Sequence, residues 1–174
     1  SPKRHAVSIA RTWKPPTAES FRGELRSARM GAMVGTASGE MPYVVEFEKQ
    51  TGVIVVTWRD ELTGAAFREY YDALGSHPEL RPGMNRLYDF RAADLALSTS
   101  NIGAARDAIS RRDAVHGRRK TAILIVDDHG FGLMRVYMAK SDQQVASDIL
   151  VTRSSGEAMA WVGLPEGYVL PSER

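Results

Sequence analysis

Two stretches decide the fold: Arg86-Leu87-Tyr88-Asp89-Phe90, an apolar strand ending in an acid, and Ala122-Ile123-Leu124-Ile125-Val126, which runs into Asp127-Asp128-His129-Gly130. Between them Ser98-Thr99-Ser100-Asn101 opens a helix expected from about Asn101 to Arg112, with Ile102, Ala105 and Ile109 on one side. Strand, helix and strand in that order make a crossover unit, and hence a parallel pair. In such folds ligands meet the carboxyl ends of strands and the amino ends of the following helices. This stretch is therefore where a site is expected.

Working outward to the amino side, Tyr43, Val45 and Phe47 alternate with smaller or charged neighbours, Gln50-Thr51-Gly52 reads as a turn, and Val53 to Trp58 is a β-branched run. Together they read as a hairpin. Thr63 can then cap a helix in which Phe67, Tyr70, Tyr71 and Leu74 recur at helical spacing, and Pro78 and Pro82 close it. On the carboxyl side a helix is expected over Gly130 to Lys140, then a strand over Asp148 to Thr152. A last helix follows, with Ser154 and Glu157 in capping-box spacing and Ala158, Trp161 and Val162 turned inward. The predicted fold class is α/β: a mixed, largely parallel sheet of about five strands with an amino-terminal hairpin, flanked by about four helices and built by right-handed crossovers.

The chain has 174 residues, 43% of them hydrophobic and 25% charged, which suits one domain with a sizeable core. Residues 41–164 are read as that domain, residues 1–40 as a flexible tail or non-native start, and residues 165–174 as a carboxy-terminal tail. A native start at Met41 is one of these two readings, and intact mass of the native protein checks it. With no cysteine, disulfides, thiolate metal sites and a Cys nucleophile are excluded. The longest aliphatic run, Ala122 to Val126, is far short of the roughly 20 residues that cross a bilayer. The formal charge of +2 is uneven: residues 1–40 hold seven Lys/Arg against three Glu, and residues 41–174 hold sixteen Lys/Arg against eighteen Asp/Glu. The basic excess belongs to the amino-terminal segment, so neither a nucleic-acid nor a membrane partner is expected.

Several clusters invite chemistry and have plainer readings. Ser98, Thr99, Ser100 and Asn101 gather at a helix start; capping needs one of them, while a phosphate or other anion there would gain from the helix amides. Capping is the favoured reading. Asp127, Asp128 and His129 resemble a cation-binding set, but adjacent side chains in a turn diverge, so Asp128 is expected as helix cap and no metal is expected. Asp89 and Arg91, with Asp60 and Glu61 on the preceding strand, suggest acid and base chemistry, yet no diagnostic spacing, phosphate loop or nucleophile elbow occurs. Asp89 is expected to make a local salt bridge with an arginine. Arg118-Arg119-Lys120, joined by Arg111 and Arg112, reads as a solvated basic loop. No catalytic residue and no cofactor are assigned.

Phe131, Leu133, Met134, Tyr137 and Met138 lie on a helix that reads as apolar almost all round. A helix on an open sheet should show one wet side. This helix is therefore expected to meet a partner, a second copy of the chain or an apolar ligand cavity.

The order of elements and several stretches are similar to the SpoIIAA-like branch of the STAS superfamily, the sulfate transporter and anti-sigma factor antagonist domains. The stretches are Gly52 to Val56, Glu61-Leu62-Thr63, Leu80-Arg81-Pro82-Gly83-Met84, Leu87 to Arg91, Ala122 to Val126 with Phe131-Gly132-Leu133, and Gly156-Glu157-Ala158 with Ala160-Trp161. The resemblance spans roughly residues 43–163. It implies a small mixed sheet flanked by helices and a non-enzymatic regulatory or protein-binding role in the cytoplasm, with a homodimer as one form. The second implied use is as carrier or sensor of a small apolar or anionic ligand, held between the Phe131 to Met138 helix and the sheet, as in the related CRAL-TRIO lipid carriers. Phosphorylated members present Asp-Ser-Ser/Thr-Gly before the helix that follows the third strand. This chain has Ala96-Leu97-Ser98-Thr99-Ser100, lacking acid and glycine, so phosphoswitching does not carry over by motif.

Overall fold

A computed structural model describes residues 42–97, 103, 107, 109–110, 116–141 and 147–174, and every structural statement below concerns these. The expected amino-terminal tail and Ser98 to Asn101 lie outside them.

Strands β1 (Tyr43–Glu48) and β2 (Val53–Trp58) form the antiparallel hairpin, with Tyr43 opposite Trp58 and Glu48 opposite Val53. The Glu48 carboxylate fastens the turn by accepting from the Gln50 and Thr51 amides and the Thr51 hydroxyl. β2 is buried along its whole length, which explains why its sequence is a continuous β-branched run, not an alternation. Strands β3 (Arg86–Asp89), β4 (Arg119–Leu124) and β5 (Ser147–Thr152) add in parallel, and the sheet order is β1-β2-β3-β4-β5.

Three helices are described in full: α1 (Gly64–Gly75), α2 (Asp128–Ser141) and α3 (Ser155–Val162). Gly103, Asp107, Ile109, Ser110 and His116 are also helical, inside and just beyond the stretch predicted as a fourth helix. Thr63 caps α1 by accepting from the Ala66 amide at 3.1 Å, and Ser154 caps α3 by accepting from Glu157 at 3.3 Å, as their spacing predicts. Tyr70, Tyr71 and Leu74 of α1, Ile109, and Leu133, Met134 and Tyr137 of α2 pack on one face of the sheet. That core holds Ile54, Val56, Trp58, Tyr88 and Ile123. Ala158 and Val162 of α3 pack on the other face, over Val53, Val55, Leu87 and Leu124. Crossover helices collect on one face when successive parallel strands are added in one direction with one hand.

Four expectations are corrected. β4 starts at Arg119, three residues before Ala122, and leaves the ladder after Leu124, because its partner β5 begins at Ser147 and ends at Thr152. Val126, expected in the strand, is exposed. The cap of α2 is Asp127, not Asp128: the Asp127 carboxylate accepts from the Gly130 amide at 2.6 Å and its carbonyl from Phe131 at 3.0 Å. A Cβ added at Gly130 would stand 2.4 Å from Ile125 Cδ1 and 2.6 Å from Leu95 Cδ1, so these side-chain ends would have to shift to admit one. α2 is not apolar all round: Gly132, Arg135, Val136 and Ala139 form its wet side, while Leu133, Met134 and Tyr137 are buried against the sheet. Finally, residues 165–174 are no loose tail. Leu170 is fully buried with Leu164 and Val162, and a short turn of 3₁₀ helix, Pro171–Glu173, follows it.

Candidate functional site

The acids that drew attention in the sequence are held by structural bonds. Asp89, only 1% exposed, accepts from Arg91 Nε and Nη2 at 2.9 Å each, from the Arg91 amide at 3.2 Å and from the Ser172 hydroxyl at 2.5 Å. Burial pushes its carboxyl pKa up, but the bonds from Arg91 and Ser172 outweigh this and the net direction is down. The expected local salt bridge is present, and it also ties down the carboxy-terminal turn, because Arg91 reaches Glu173 at 2.8 Å. Asp128 pairs with Arg153, whose guanidinium also lies 4.9 Å from the Phe131 ring centroid. Asp60 and Glu61 stand at a bridge to residue 94, with Glu61 opposite Asp94 and the Asp60 carbonyl accepting from the Asp94 amide at 3.3 Å.

A different set of residues forms the site that the fold builds. A cavity of about 60 Å³ lies between the sheet and the helices on its larger core. Tyr88, Thr121, Ile123 and Ile149 supply the sheet wall; Phe67 and Tyr71 of α1, Ile109, and Met134 and Tyr137 of α2 supply the helix wall. Leu62, Phe90 and Leu97, from segments after the carboxyl ends of β2 and β3, line one part. Arg119 and Ser147, the first residues of β4 and β5, line another. With a rise of about 3.3 Å per residue in a strand, Arg119 and Ile123 stand roughly 13 Å apart along β4. The cavity is thus graded from apolar to polar along the strands.

The polar part is organised around one phenol. Arg86, 1% exposed, donates from Nη1 to Tyr71 Oη at 2.9 Å and bonds His116 Nδ1 through Nη2 at 2.7 Å. Arg119, 5% exposed, donates from Nη2 to the same Tyr71 oxygen at 3.0 Å and from Nη1 to the Gly117 carbonyl at 3.0 Å. Since Arg86 donates, His116 accepts at Nδ1 and carries its proton on Nε2. Both guanidinium nitrogens bond one oxygen, so they lie within about 6 Å of each other. Two unit charges at that separation repel by about 3 kcal/mol at an effective dielectric of about 20. Burial pushes the Tyr71 pKa up, and the two guanidinium charges only partly oppose this, so the phenol keeps its proton.

Arg118-Arg119-Lys120 is therefore not a solvated loop. Arg118 pairs with Asp148 at 2.9 Å and Lys120 lies 4.9 Å from the Trp161 ring centroid, but Arg119 turns into the core. The period of two carried the signal: Arg119, Thr121 and Ile123 share a sheet face, as do Arg86, Tyr88 and Phe90. The residues expected to meet a partner or ligand divide. Met134 and Tyr137 line the cavity, Leu133 is buried beside them, and Phe131 and Met138 are half-buried. Ser98, Thr99, Ser100 and Asn101, the expected anion or modification point, are outside the described residues.

No family model and no curated protein matches the chain. Among solved structures, an uncharacterized protein with a SpoIIAA-like fold from Shewanella loihica PV-4 is similar at 14% identity and a TM-score of 0.48, over 69% of this chain and 91% of that one. Among the described residues no helix is long and apolar enough to cross a membrane.

Proposed function

We propose that this chain is a non-enzymatic module that binds a small, largely apolar molecule in the cavity between α1, α2 and the sheet. One observation carries the reading: a cavity of about 60 Å³ stands inside the larger core, lined almost wholly by apolar and aromatic side chains. Well-packed interiors leave few voids larger than a water molecule. At about 10–15 Å³ for each water-sized sphere, this one has room for roughly four to six. Small rings and short chains are the matching class. The bonds that occupy Asp89, Asp127 and Asp128 support the non-enzymatic half of the reading.

A protein-binding or homodimeric role stands second, because of its five candidate residues only Phe131 and Met138 are more than marginally exposed. The test is a titration with 1-hexanol followed by methyl resonances of the ¹³C-labelled protein. Saturable shifts centred on Ile123, Ile149 and Met134 are expected. Shifts confined to surface methyls such as Val136 and Val169, up to the solubility of the alcohol, would overturn the proposal.

A further inference from the structure

We infer that the molecule bound in the cavity carries an anionic group, a carboxylate on a short apolar chain, recognised by Arg119 and Tyr71 with Arg86 behind them; this rests on the binding role proposed above. Three observations converge. First, Arg86 is buried with only neutral partners, Tyr71 and His116, and makes no ion pair among the described residues. A buried cation is costly unless a negative charge accompanies it. Second, both hydrogen bonds at Tyr71 Oη come from guanidinium donors, so the oxygen accepts twice and its own proton is given to no acceptor among the described residues. A protein interior rarely leaves such a donor unused. Third, Tyr71 and Arg119 both line the cavity, as do Thr121 and Ser147, whose hydroxyls bond each other at 2.6 Å.

An anion beside Tyr71 and Arg119 would accept a hydrogen bond from the phenol, form a charge-assisted bond with a guanidinium, and bring a negative charge near buried Arg86. The apolar remainder would lie toward Ile123 and Phe90. A carboxylate fits better than a phosphate because the cavity is small and few polar side chains line it. A carboxylate needs two or three donors, whereas a phosphate dianion needs more.

Isothermal titration of the whole chain with hexanoate, 1-hexanol and inorganic phosphate tests this. Hexanoate should bind at least tenfold tighter than 1-hexanol at pH 7, and phosphate weakly or not at all. Arg119→Met should bring the ratio of hexanoate to 1-hexanol affinity close to one while leaving 1-hexanol binding in place, and Tyr71→Phe should lower it severalfold. Lys120→Met, on the same strand but facing Trp161, should leave it unchanged. In the unaltered protein the ratio should also fall as pH is lowered through the carboxylate range of the probe, which needs no variant to fold. Equal affinities for hexanoate and 1-hexanol, or a ratio that survives Arg119→Met, overturn the inference and leave the binding role standing. Tighter binding of phosphate than of hexanoate overturns the choice of carboxylate. If neither hexanoate nor 1-hexanol binds, both the inference and the binding role fail.

Discussion

Replacing Asp89 by Asn should cost the protein about 2–4 kcal/mol. The carboxylate is 1% exposed and accepts four hydrogen bonds, two at each oxygen. In the variant Oδ1 keeps its bonds from Arg91 Nε and the Arg91 amide. The amide NH₂ that takes the place of Oδ2 instead meets Arg91 Nη2, donor against donor, while the Ser172 hydroxyl is free to turn and accept. One charge-assisted bond, worth about 1.5–3 kcal/mol, is lost, and a desolvated N–H is left facing another donor at roughly 1 kcal/mol more. The total stays at or below the 3–5 kcal/mol of breaking a fully buried pair, because Arg91 is a quarter exposed and keeps Glu173. Urea unfolding followed by tryptophan fluorescence is the assay. With a slope of about 2 kcal/mol per molar, the midpoint should fall by roughly 1–2 M. The folded-state pKa of Asp89 is depressed, so its contribution is present above the unfolded carboxyl pKa of about 3.9 and is lost as pH falls through the folded value. The gap between the two proteins should therefore be full at pH 7 and shrink below about pH 4. A loss under about 0.5 kcal/mol at pH 7, or a gap that persists undiminished to pH 3, refutes the assignment of this ion pair as the clasp of the carboxy-terminal turn.

Gly130→Ala should lower the melting temperature, because its Cβ would fall 2.4 Å from Ile125 Cδ1 and 2.7 Å from the Asp127 carboxylate that caps the helix; overpacking at about 1–3 kcal/mol exceeds the gain in helix propensity of about 1 kcal/mol, and a rise in calorimetric melting temperature would contradict it. Thr63→Ala should cost about 1 kcal/mol in urea unfolding through loss of the 3.1 Å cap of α1, and Thr63→Ser should recover most of it. Failure of serine to rescue would move the effect from the cap to the lost methyl group. Ile123→Phe should fill the cavity and abolish 1-hexanol binding with a stability change of less than about 1.5 kcal/mol; undiminished binding would place the alcohol elsewhere.

What could be read in the residue order was what is local. The caps at Thr63 and Ser154 close over three residues, and so does the turn held by the Glu48 carboxylate. Each therefore leaves its mark within a few positions of the chain. The burial of β2 was likewise legible as an unbroken β-branched run. The contacts that were missed join distant positions. Ser172 meets Asp89 across 83 residues, Arg174 meets Glu46 across 128, and Arg119 meets Tyr71 across 48. A decapeptide holding Pro165, Gly167 and Pro171 has no period to announce that Leu170 fills a core. At Arg118-Arg119-Lys120 three charges in a row masked the alternation of a strand that begins one residue before Lys120, so the buried member passed for a solvated one. Asp127 and Asp128 compete for one cap, and the winner depends on where β4 leaves the ladder, which depends in turn on the length of β5.

The buried arginines lie at the opposite end of this sheet from the carboxyl strand ends where ligands of parallel folds are usually met. Arg86 and Arg119 open β3 and β4, at the amino ends. Helix polarity accounts for the choice. A crossover helix runs against the strands it joins, so its carboxyl end, with about half a negative charge on its free carbonyls, comes back toward the amino ends of the strands. α1 ends at Gly75 with Tyr71 one turn before, and it has no basic residue in its own last turn to satisfy those carbonyls. Guanidinium groups are better tolerated near such an end than near the helix amino termini. Half a charge nevertheless does not balance the whole one on buried Arg86, whose hydrogen-bond partners Tyr71 and His116 bring no negative charge. The sheet and its helices supply the apolar room, and the imbalance at its polar end defines the sign of what should enter it.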